Sequence, residues 1–154
     1  MAERIGGYAG RVLRVDLTTG KITVEPLDPS VARKFIGGAG LGAKVLYDEV
    51  PAGVEWSDPE NRLLFFSGPF GGTRYAGSGM IAVVSKGPMT NMAGSSQANG
   101  FFGTYLKFCG FDGVVIQGRA KEWSYLRIRD GAAEVCDARD LAGMDTLETE
   151  DTIR

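Results

Sequence analysis

The residues best suited to ligand recognition lie in one glycine-rich stretch, Gly68–Gly118, where aromatic and β-branched residues are interleaved with the glycines. Disordered glycine-rich linkers lack such apolar side chains, so this stretch is predicted to belong to a folded core. Glycine there permits a positive φ or a close approach of the backbone to another group. The pattern predicts recognition of a rigid ligand mainly by backbone atoms.

Two glycines of this stretch, Gly100 and Gly103, stand at the start of a predicted helix. A helix face without side chains at these positions would admit a flat ligand, and the first N–H groups of the helix would attract an anion. Close packing of the helix on a sheet would require the same two glycines. The spacing alone does not separate these two interpretations.

Residue counts exclude several catalytic chemistries. The sequence has no histidine, which removes Ser-His-Asp and Cys-His catalysis and histidine-ligated zinc. Its two cysteines, Cys109 and Cys136, are too far apart for a Cys-x-x-Cys site. They are predicted to be reduced core residues, with a disulfide or a shared metal as the alternative. Carboxylates near turns, such as Asp58 and Asp145, are expected to cap helices, with a catalytic pair as the alternative. No catalytic or metal-ligating residue is predicted.

A second glycine cluster, Gly38-x-Gly40-x-x-Ala43, formally fits the fingerprint of dinucleotide-binding proteins. That fingerprint must follow a strand and open a helix. Here it follows a predicted helix, residues 29–36, which begins with Asp28 as N-cap and Pro29. The cluster is therefore predicted to break a helix so that two backbones can pack closely, with nucleotide binding as the alternative.

Length and charge narrow the class of protein further. A chain of 154 residues with 44% hydrophobic residues is predicted to form one domain with a buried core. A net charge of −2 without a basic cluster argues against nucleic acid and anionic membranes as partners. The sequence contains neither an apparent signal peptide nor an apolar run of about 18 residues that could span a bilayer. We therefore expect a cytoplasmic protein.

Hydrophobic periodicity and turn residues predict a mixture of strands and helices. The predicted strands are 10–17, 21–25, 62–67, 80–85, 113–117, 124–128 and 132–136, and the predicted helices are 29–36, 43–50, 100–108 and one from 146 onward. Residues 87–99 are polar and small apart from Met89 and Met92, and neither a strand nor a helix is predicted there. Two segments, 37–67 and 94–117, share the order glycine cluster, helix, turn, strand, which indicates an internal duplication.

Several motifs resemble the N-terminal domain of aldehyde:ferredoxin oxidoreductases, enzymes that hold tungsten or molybdenum in a bis-pyranopterin. The motifs are Gly68-Pro69-Phe70-Gly71-Gly72-Thr73, Val83–Thr90, Asn99–Asp112, the opening Gly10–Gly20, and the segments 57–61, 116–120 and 149–154. The resemblance covers essentially the whole chain and keeps the order and spacing of the motifs. It implies an α+β fold with two related halves, each a mixed β-sheet with helices, and one cofactor-cradling domain over residues 1–154.

The resemblance also implies which residues contact the pterin. In the family, the loop before the Gly-Phe-Phe-Gly-type helix does so, and the matching residues are Gln97, Ala98, Asn99 and Gly100. A family arginine just before the strand with the sequence Val-Val-Ser-Lys is replaced here by Met80. Arg74 lies in the same loop and is the residue that could substitute for it.

The function that the resemblance implies belongs to a larger enzyme. Such an enzyme oxidises an aldehyde to a carboxylic acid and passes the electrons to ferredoxin through a [4Fe–4S] cluster. The cluster ligands and the second half of the pterin site lie downstream of this segment in the family. The chain is therefore expected to be an inactive N-terminal domain, either a truncated segment or a short separate subunit-like product. It is expected to work with the remainder of the enzyme, with a homodimer as a possible assembly. The alternatives are a non-catalytic binding or assembly module and a structural protein whose glycines serve packing alone.

Overall fold

The computed structural model describes residues 5–153 and contains eight strands and four α-helices among them. The strands are β1 (Arg11–Asp16), β2 (Lys21–Pro26), β3 (Leu63–Ser67), β4 (Ile81–Lys86), β5 (Ala93–Ala98), β6 (Gly113–Gln117), β7 (Ser124–Arg129) and β8 (Ala132–Asp137). The helices are α1 (Pro29–Phe35), α2 (Gly38–Glu49), α3 (Phe102–Phe108) and α4 (Thr146–Ile153), with a short 3-10 turn at Arg139–Leu141.

Six of the strands form one sheet in the order β2-β1-β6-β3-β4-β5, and β7 pairs with β8 in a separate hairpin. The pair β1–β6 is parallel and the other neighbours in the sheet are antiparallel. This arrangement confirms the predicted α+β class. The prediction of one sheet in each half is wrong in detail, because β3 and β6, the strands of the two similar segments, are neighbours in the same sheet.

Strand alternation gives the sheet two apolar faces, because successive side chains point to opposite sides. One face carries Leu64 and Phe66 and packs against α1 and α2, whose buried residues include Leu41. The other face carries Leu13 and Val114 and packs against α3 and the β7–β8 hairpin. The core therefore consists of two layers, one on each side of the sheet.

Strand β5 was not predicted from the sequence, and the structure corrects this omission. All six of its residues are exposed, and its sequence Ala-Gly-Ser-Ser-Gln-Ala has no apolar alternation. The strand lies at the edge of the sheet and is paired along its whole length with β4. Its conformation comes from the backbone ladder with β4, which leaves no trace in the side-chain pattern.

Helix α2 begins at Gly38, five residues before its predicted start. Helix-interior glycine costs about 1 kcal/mol relative to alanine, so the cluster looked like an interruption. Tertiary packing reverses that preference at Gly42, where an added Cβ would stand 2.5 Å from Cγ2 of Val84 on β4. The prediction for α1 is confirmed, since the Asp28 carboxylate accepts a 2.7 Å hydrogen bond from the Ser30 N–H and Pro29 is the first helical residue.

The segment before β1 is fixed by a buried carboxylate. Asp112, 1% exposed, accepts hydrogen bonds from the N–H groups of Ala9 (2.9 Å) and Gly10 (2.6 Å) and pairs with the ammonium group of Lys107. Cys109 and Cys136 are free and partly buried. Among the described residues, no helix is long and apolar enough to cross a lipid bilayer.

Candidate functional site

The pairing of β4 with β5 brings most of the predicted contact residues to one end of the sheet. Ile81 pairs with Ala98 and Ala82 pairs with Gln97, so Met80 precedes β4 where Asn99 and Gly100 follow β5. Gln97 and Ala98 therefore lie on a strand, whereas the sequence placed them in a loop.

Two glycines hold this end of the sheet together. Gly79 and Gly100 are so close that a Cβ on Gly79 would overlap the carbonyl oxygen of Gly100. Around Gly100, by contrast, an added Cβ would find nothing within 4 Å, and its φ of +145° is one that side-chain-bearing residues rarely adopt. The residue is therefore a turn that touches Gly79 on one side and is open on the other.

The predicted role of the helix start is corrected by the structure. Gly100 lies outside α3, which begins at Phe102 after the N-cap Phe101 and is only seven residues long. Gly103 is buried in the helix, and a Cβ there would stand 2.9 Å from the carbonyl oxygen of Met80. The spacing of the two glycines thus reflects a turn and close helix-on-sheet packing, and the helix offers no smooth face to a ligand.

A groove of about 340 Å³ adjoins the end of the sheet and contains two of the predicted residues, Met80 and Gln97. Its lining residues are all uncharged: Ile36, Gly37, Gly38, Ala39, Gly40, Phe66, Gly68, Pro69, Met80, Ile81, Ala82 and Gln97. Met80 is 42% exposed there. Arg74 lies in the exposed loop before β4 and does not line this groove. Its positive charge therefore does not replace that of the family arginine whose position Met80 occupies.

The opposite wall of the groove is the break between α1 and α2. Gly37 packs on the end of β3, where a Cβ would stand 2.8 Å from both the Gly68 Cα and the Ser67 carbonyl oxygen. This confirms the predicted close packing of two backbones. The 12-residue helix α2 begins in the groove, and its N-cap Gly37 supplies no side-chain hydrogen bond. Because the fingerprint-like cluster follows α1, the strand-turn-helix context of dinucleotide-binding proteins does not occur here.

The charged groups of the fold lie outside this groove. Glu49 at the end of α2 pairs with Arg14 and Arg62 and stabilises the contact of α2 with the sheet. Burial raises the pKa of Glu49, but hydrogen bonds and charge from both arginines outweigh it and lower that pKa below its usual value. Within residues 5–153, no group of three or more His, Cys, Asp or Glu side chains is placed to hold a metal ion. The groove can therefore bind by shape, by the Gln97 amide and by backbone groups.

Comparison with known proteins identifies the family. The model of the family described as aldehyde ferredoxin oxidoreductase, N-terminal domain, matches residues 12–154. The chain belongs to this family. The match confirms the resemblance that the motifs carried.

Relatives within the aldehyde ferredoxin oxidoreductase family are much longer than this chain. The tungsten-containing aldehyde ferredoxin oxidoreductase of Pyrococcus furiosus is 39% identical over 148 residues, which are 96% of this chain and 24% of that protein. The aliphatic sulfonate oxidoreductase, WOR-like subunit, of the same organism is 38% identical over 149 residues, 95% of this chain and 24% of that protein. This chain thus spans about a quarter of the length of these relatives.

A solved structure shares the fold of this family domain closely. It is the active site complex BamBC of benzoyl coenzyme A reductase in complex with 1,5-dienoyl-CoA, which is 37% identical, with a TM-score of 0.93 over 96% of this chain and 22% of that chain. The relatives named here therefore include enzymes described by different substrates.

Sequence reasoning missed the groove residues contributed by the α1–α2 break. The Gly37–Gly40 cluster was singled out as a packing feature, with nucleotide binding as the alternative, and it was not connected with Met80 and Gln97. A usable signal was present, since four glycines in six residues at a helix start exceed what a simple helix break requires. The position of α2 over β3 and β4 brings the Gly37–Gly40 cluster to Met80 and Gln97, and no local sequence pattern encodes that position.

Proposed function

We propose that this chain is a cofactor-cradling domain, over residues 1–154, that provides one wall of the site for a tungsten- or molybdenum-bis-pyranopterin in an aldehyde ferredoxin oxidoreductase-type enzyme. The observation that carries the proposal is the convergence of Met80 and Gln97 with the backbone of Gly37–Gly40 in one groove. The Pyrococcus relatives are tungsten-containing enzymes, which supports the choice of metal class. Gln97, Ala98, Asn99, Gly100 and Met80 are the proposed contacts, and Arg74 is proposed only as a more distant charge.

The groove fits the ring of a pterin by shape and chemistry. Glycine backbone at Gly37, Gly38 and Gly68 lets a flat ring approach without side chains in between. The edge of a pterin ring carries N–H donors and carbonyl and ring-nitrogen acceptors, and the Gln97 amide offers both a donor and an acceptor. A phosphate fits less well, because every side chain that lines the groove is uncharged. Its charge would be met by the N-terminus of α2, where the helix dipole is positive.

The chain's own contribution is to bind and orient the ring. Gly79 and Gly100 fix the end of β4 against the end of β5, which keeps Gln97 in register with the groove. The wall formed by Gly37 would exclude water from one side of a bound ring. When bound, the metallopterin supplies two-electron redox chemistry at its metal.

The complete reaction is proposed to need polypeptide beyond these residues. The larger enzyme would oxidise an aldehyde to a carboxylic acid in the cytoplasm and deliver electrons to ferredoxin through a [4Fe–4S] cluster. The cluster ligands would come from the remainder of the enzyme, alone or as a homodimer. Accordingly, the 154-residue chain is expected to show no aldehyde-dependent reduction of an acceptor, and measurable turnover by this chain would contradict the proposal.

Cofactor content tests the binding role directly. The protein is produced in a host that makes metallopterin, with tungstate or molybdate supplied, and metal and pterin are measured per polypeptide by mass spectrometry and pterin fluorescence. We expect Gln97→Ala to lower both contents together. Ser96→Ala is the matched control, since Ser96 is the preceding residue of β5 and its side chain faces the other side of the sheet. Equal pterin in Gln97→Ala and wild type would remove Gln97 from the site.

A second candidate function rests on Met80. A module that keeps the fold without binding the cofactor would show the neutral groove that is observed. If the wild type contains no pterin and Met80→Arg acquires it, the assembly-module interpretation replaces the cofactor-binding one. If the wild type already contains pterin, the missing charge is supplied elsewhere and the cofactor-binding proposal stands.

A further inference from the structure

The residue between α1 and α2, Ile36, has a backbone conformation that its side chain disfavours. Its φ is 65° and its ψ is −67°, and the Gly37 N–H donates a 2.8 Å hydrogen bond to the Phe35 carbonyl oxygen. These values define a γ-turn of the positive-φ form, which is rare and strained. Two other non-glycine residues among those described have a positive φ, Asn91 and Asp130. Asparagine and aspartate are residue types that tolerate this conformation. A β-branched residue does not, so Ile36 is the strained position of the backbone.

Hydrogen bonds on both sides impose this conformation. The Ile36 N–H donates to the Ala32 carbonyl oxygen at 2.8 Å and so completes α1. The Tyr8 hydroxyl donates to the Ile36 carbonyl oxygen at 2.7 Å. Burial, and after it the charge of Asp112, raise the pKa of the Tyr8 hydroxyl, so it remains a donor at neutral pH.

The position of Tyr8 is itself fixed by Lys107 on α3. The Lys107 ammonium lies 5.5 Å from the centre of the Tyr8 ring and donates to the Gly7 carbonyl oxygen at 2.7 Å. Lys107 is in turn paired with the buried carboxylate of Asp112. A strained residue persists only where its surroundings determine it, and here a buried ion pair supports the tyrosine that holds the turn.

The strained turn lies at the groove already described. Ile36 is 60% exposed and lines the groove together with Met80 and Gln97. The core gains little from an exposed isoleucine, so packing within this chain does not account for the strain. Strained backbone that is well supported is typical of ligand-binding sites, where it places a group before the ligand arrives.

We propose that Ile36 is a ligand-contacting residue that packs its side chain against the face of the bound ring, and that Tyr8 is the positioning residue that holds it there. The inference rests on the proposed function, and the ligand class is the flat heteroaromatic ring of the pterin. Ile36 would set the width of the groove on the α1–α2 side. The Tyr8 hydroxyl also lies 3.3 Å from the Ala32 carbonyl oxygen, so Tyr8 would hold Ile36 and the end of α1 together, without touching the ligand.

Thermal unfolding of the metal-free protein tests the strain by itself. Ala and Gly are compared at position 36, because Ala keeps the Cβ that opposes positive φ and Gly removes it. We expect Ile36→Gly to melt about 2–4 °C above Ile36→Ala. The control is Val24, an exposed residue of β2 whose φ is not positive, where Val24→Gly should melt below Val24→Ala. If Ile36→Gly melted below Ile36→Ala, as expected for the control position, Ile36 would be unstrained and the inference would be overturned.

Pterin and tungsten content of the purified protein test the ligand contact. We expect Ile36→Gly to lower pterin content about threefold or more while its melting temperature exceeds that of Ile36→Ala, since the contact is lost while strain is relieved. A purely structural role would move stability and pterin content in the same direction. Unchanged pterin content in Ile36→Gly would overturn the inference and leave the proposed function intact, whereas a wild type without pterin would overturn both.

A double-mutant cycle tests the positioning role of Tyr8. We expect Tyr8→Phe to lower pterin content in the wild-type background and to have a clearly smaller effect in the Ile36→Gly background, where no strained side chain remains to be held. Tyr47→Phe on α2 is the control, because Tyr47 is exposed and does not line the groove. Equal effects of Tyr8→Phe in the two backgrounds would show that Tyr8 does not act through Ile36.

Discussion

Gly79 lies so close to the carbonyl oxygen of Gly100 that a residue with a side chain could not occupy position 79 without moving the backbone. The contact joins the start of β4 to the turn after β5, at the edge of the candidate groove. We expect Gly79→Ala to destabilise the fold by about 2 kcal/mol or more, because a methyl group there would overlap backbone that cannot rotate away. Urea unfolding would measure this loss. Gly94→Ala on β5 is the control, since its Cβ would lie at an ordinary 3.8 Å from the Ser85 carbonyl oxygen. Equal losses at the two positions would show that the close approach is unimportant.

The contact of Gly42 with Val84 predicts a compensating pair of substitutions. Gly42→Ala should cost about 1–3 kcal/mol, because it pushes a methyl group into the Val84 side chain. Val84→Ala alone should also destabilise the fold by leaving a cavity in the α2 face of the core. Together they should cost less than the sum by about 1 kcal/mol, as residues in contact do when one makes room for the other. Additive costs in denaturant unfolding would contradict the packing described here.

Removing the negative charge of Asp112 should have a large effect on stability. Asp112→Asn would leave the Lys107 ammonium, 9% exposed, without its partner and would weaken the hydrogen bonds from Ala9 and Gly10. We expect a loss of about 3–5 kcal/mol, as for other broken buried ion pairs. Chemical denaturation would measure it, with Asp130→Asn in the exposed β7–β8 turn as the control that should change little. A small loss for Asp112→Asn would show that the N-terminal segment is held by other contacts.

Acid should weaken the attachment of α2 through Glu49. The pKa of Glu49 is lower in the folded protein than its ordinary value of 4.5, so its contribution to stability is complete above that value. This contribution decreases once the pH falls below about 4.5, the pKa in the unfolded chain. It is lost when the pH has fallen through the lower pKa of the folded protein. The free energy of unfolding of wild type and Glu49→Gln should therefore differ by a constant amount above pH 5 and converge in more acid solution. Glu134→Gln, which removes an exposed ion pair with Arg127, controls for surface charge. A difference that did not shrink in acid would contradict the ion-pair assignment.

The elements that sequence reasoning located correctly are those with their own local signal. The strands predicted at 124–128 and 132–136 form a hairpin around Asp130-Gly131, and the Asp28-Pro29 helix start is in its predicted place. Both follow from turn and cap chemistry, which are local. Strand β5 was missed because an exposed edge strand of small polar residues needs no apolar alternation.

The candidate site was only half predictable for a similar reason. Met80 and Gln97 could be named from motif similarity, and the register of β4 with β5 brings them to the same end of the sheet. Gly37 and Ile36 reach the same groove through the packing of α1 and α2 on the sheet, over about 60 residues of sequence. The positive φ of Ile36 had no sequence signal at all, because isoleucine is a residue type that argues against it.

The position of β1 has a consequence for the order in which this chain acquires structure during synthesis. This strand lies between β2 and β6, and β6 follows it by about 100 residues. At a translation rate of about 5–20 residues per second, the ribosome needs roughly 5–20 s to supply the second neighbour of β1. A two-stranded hairpin is only marginally stable in water. The apolar side chains of Leu13 and Val15 therefore lack their β6 neighbours in the nascent chain until that strand has been synthesised.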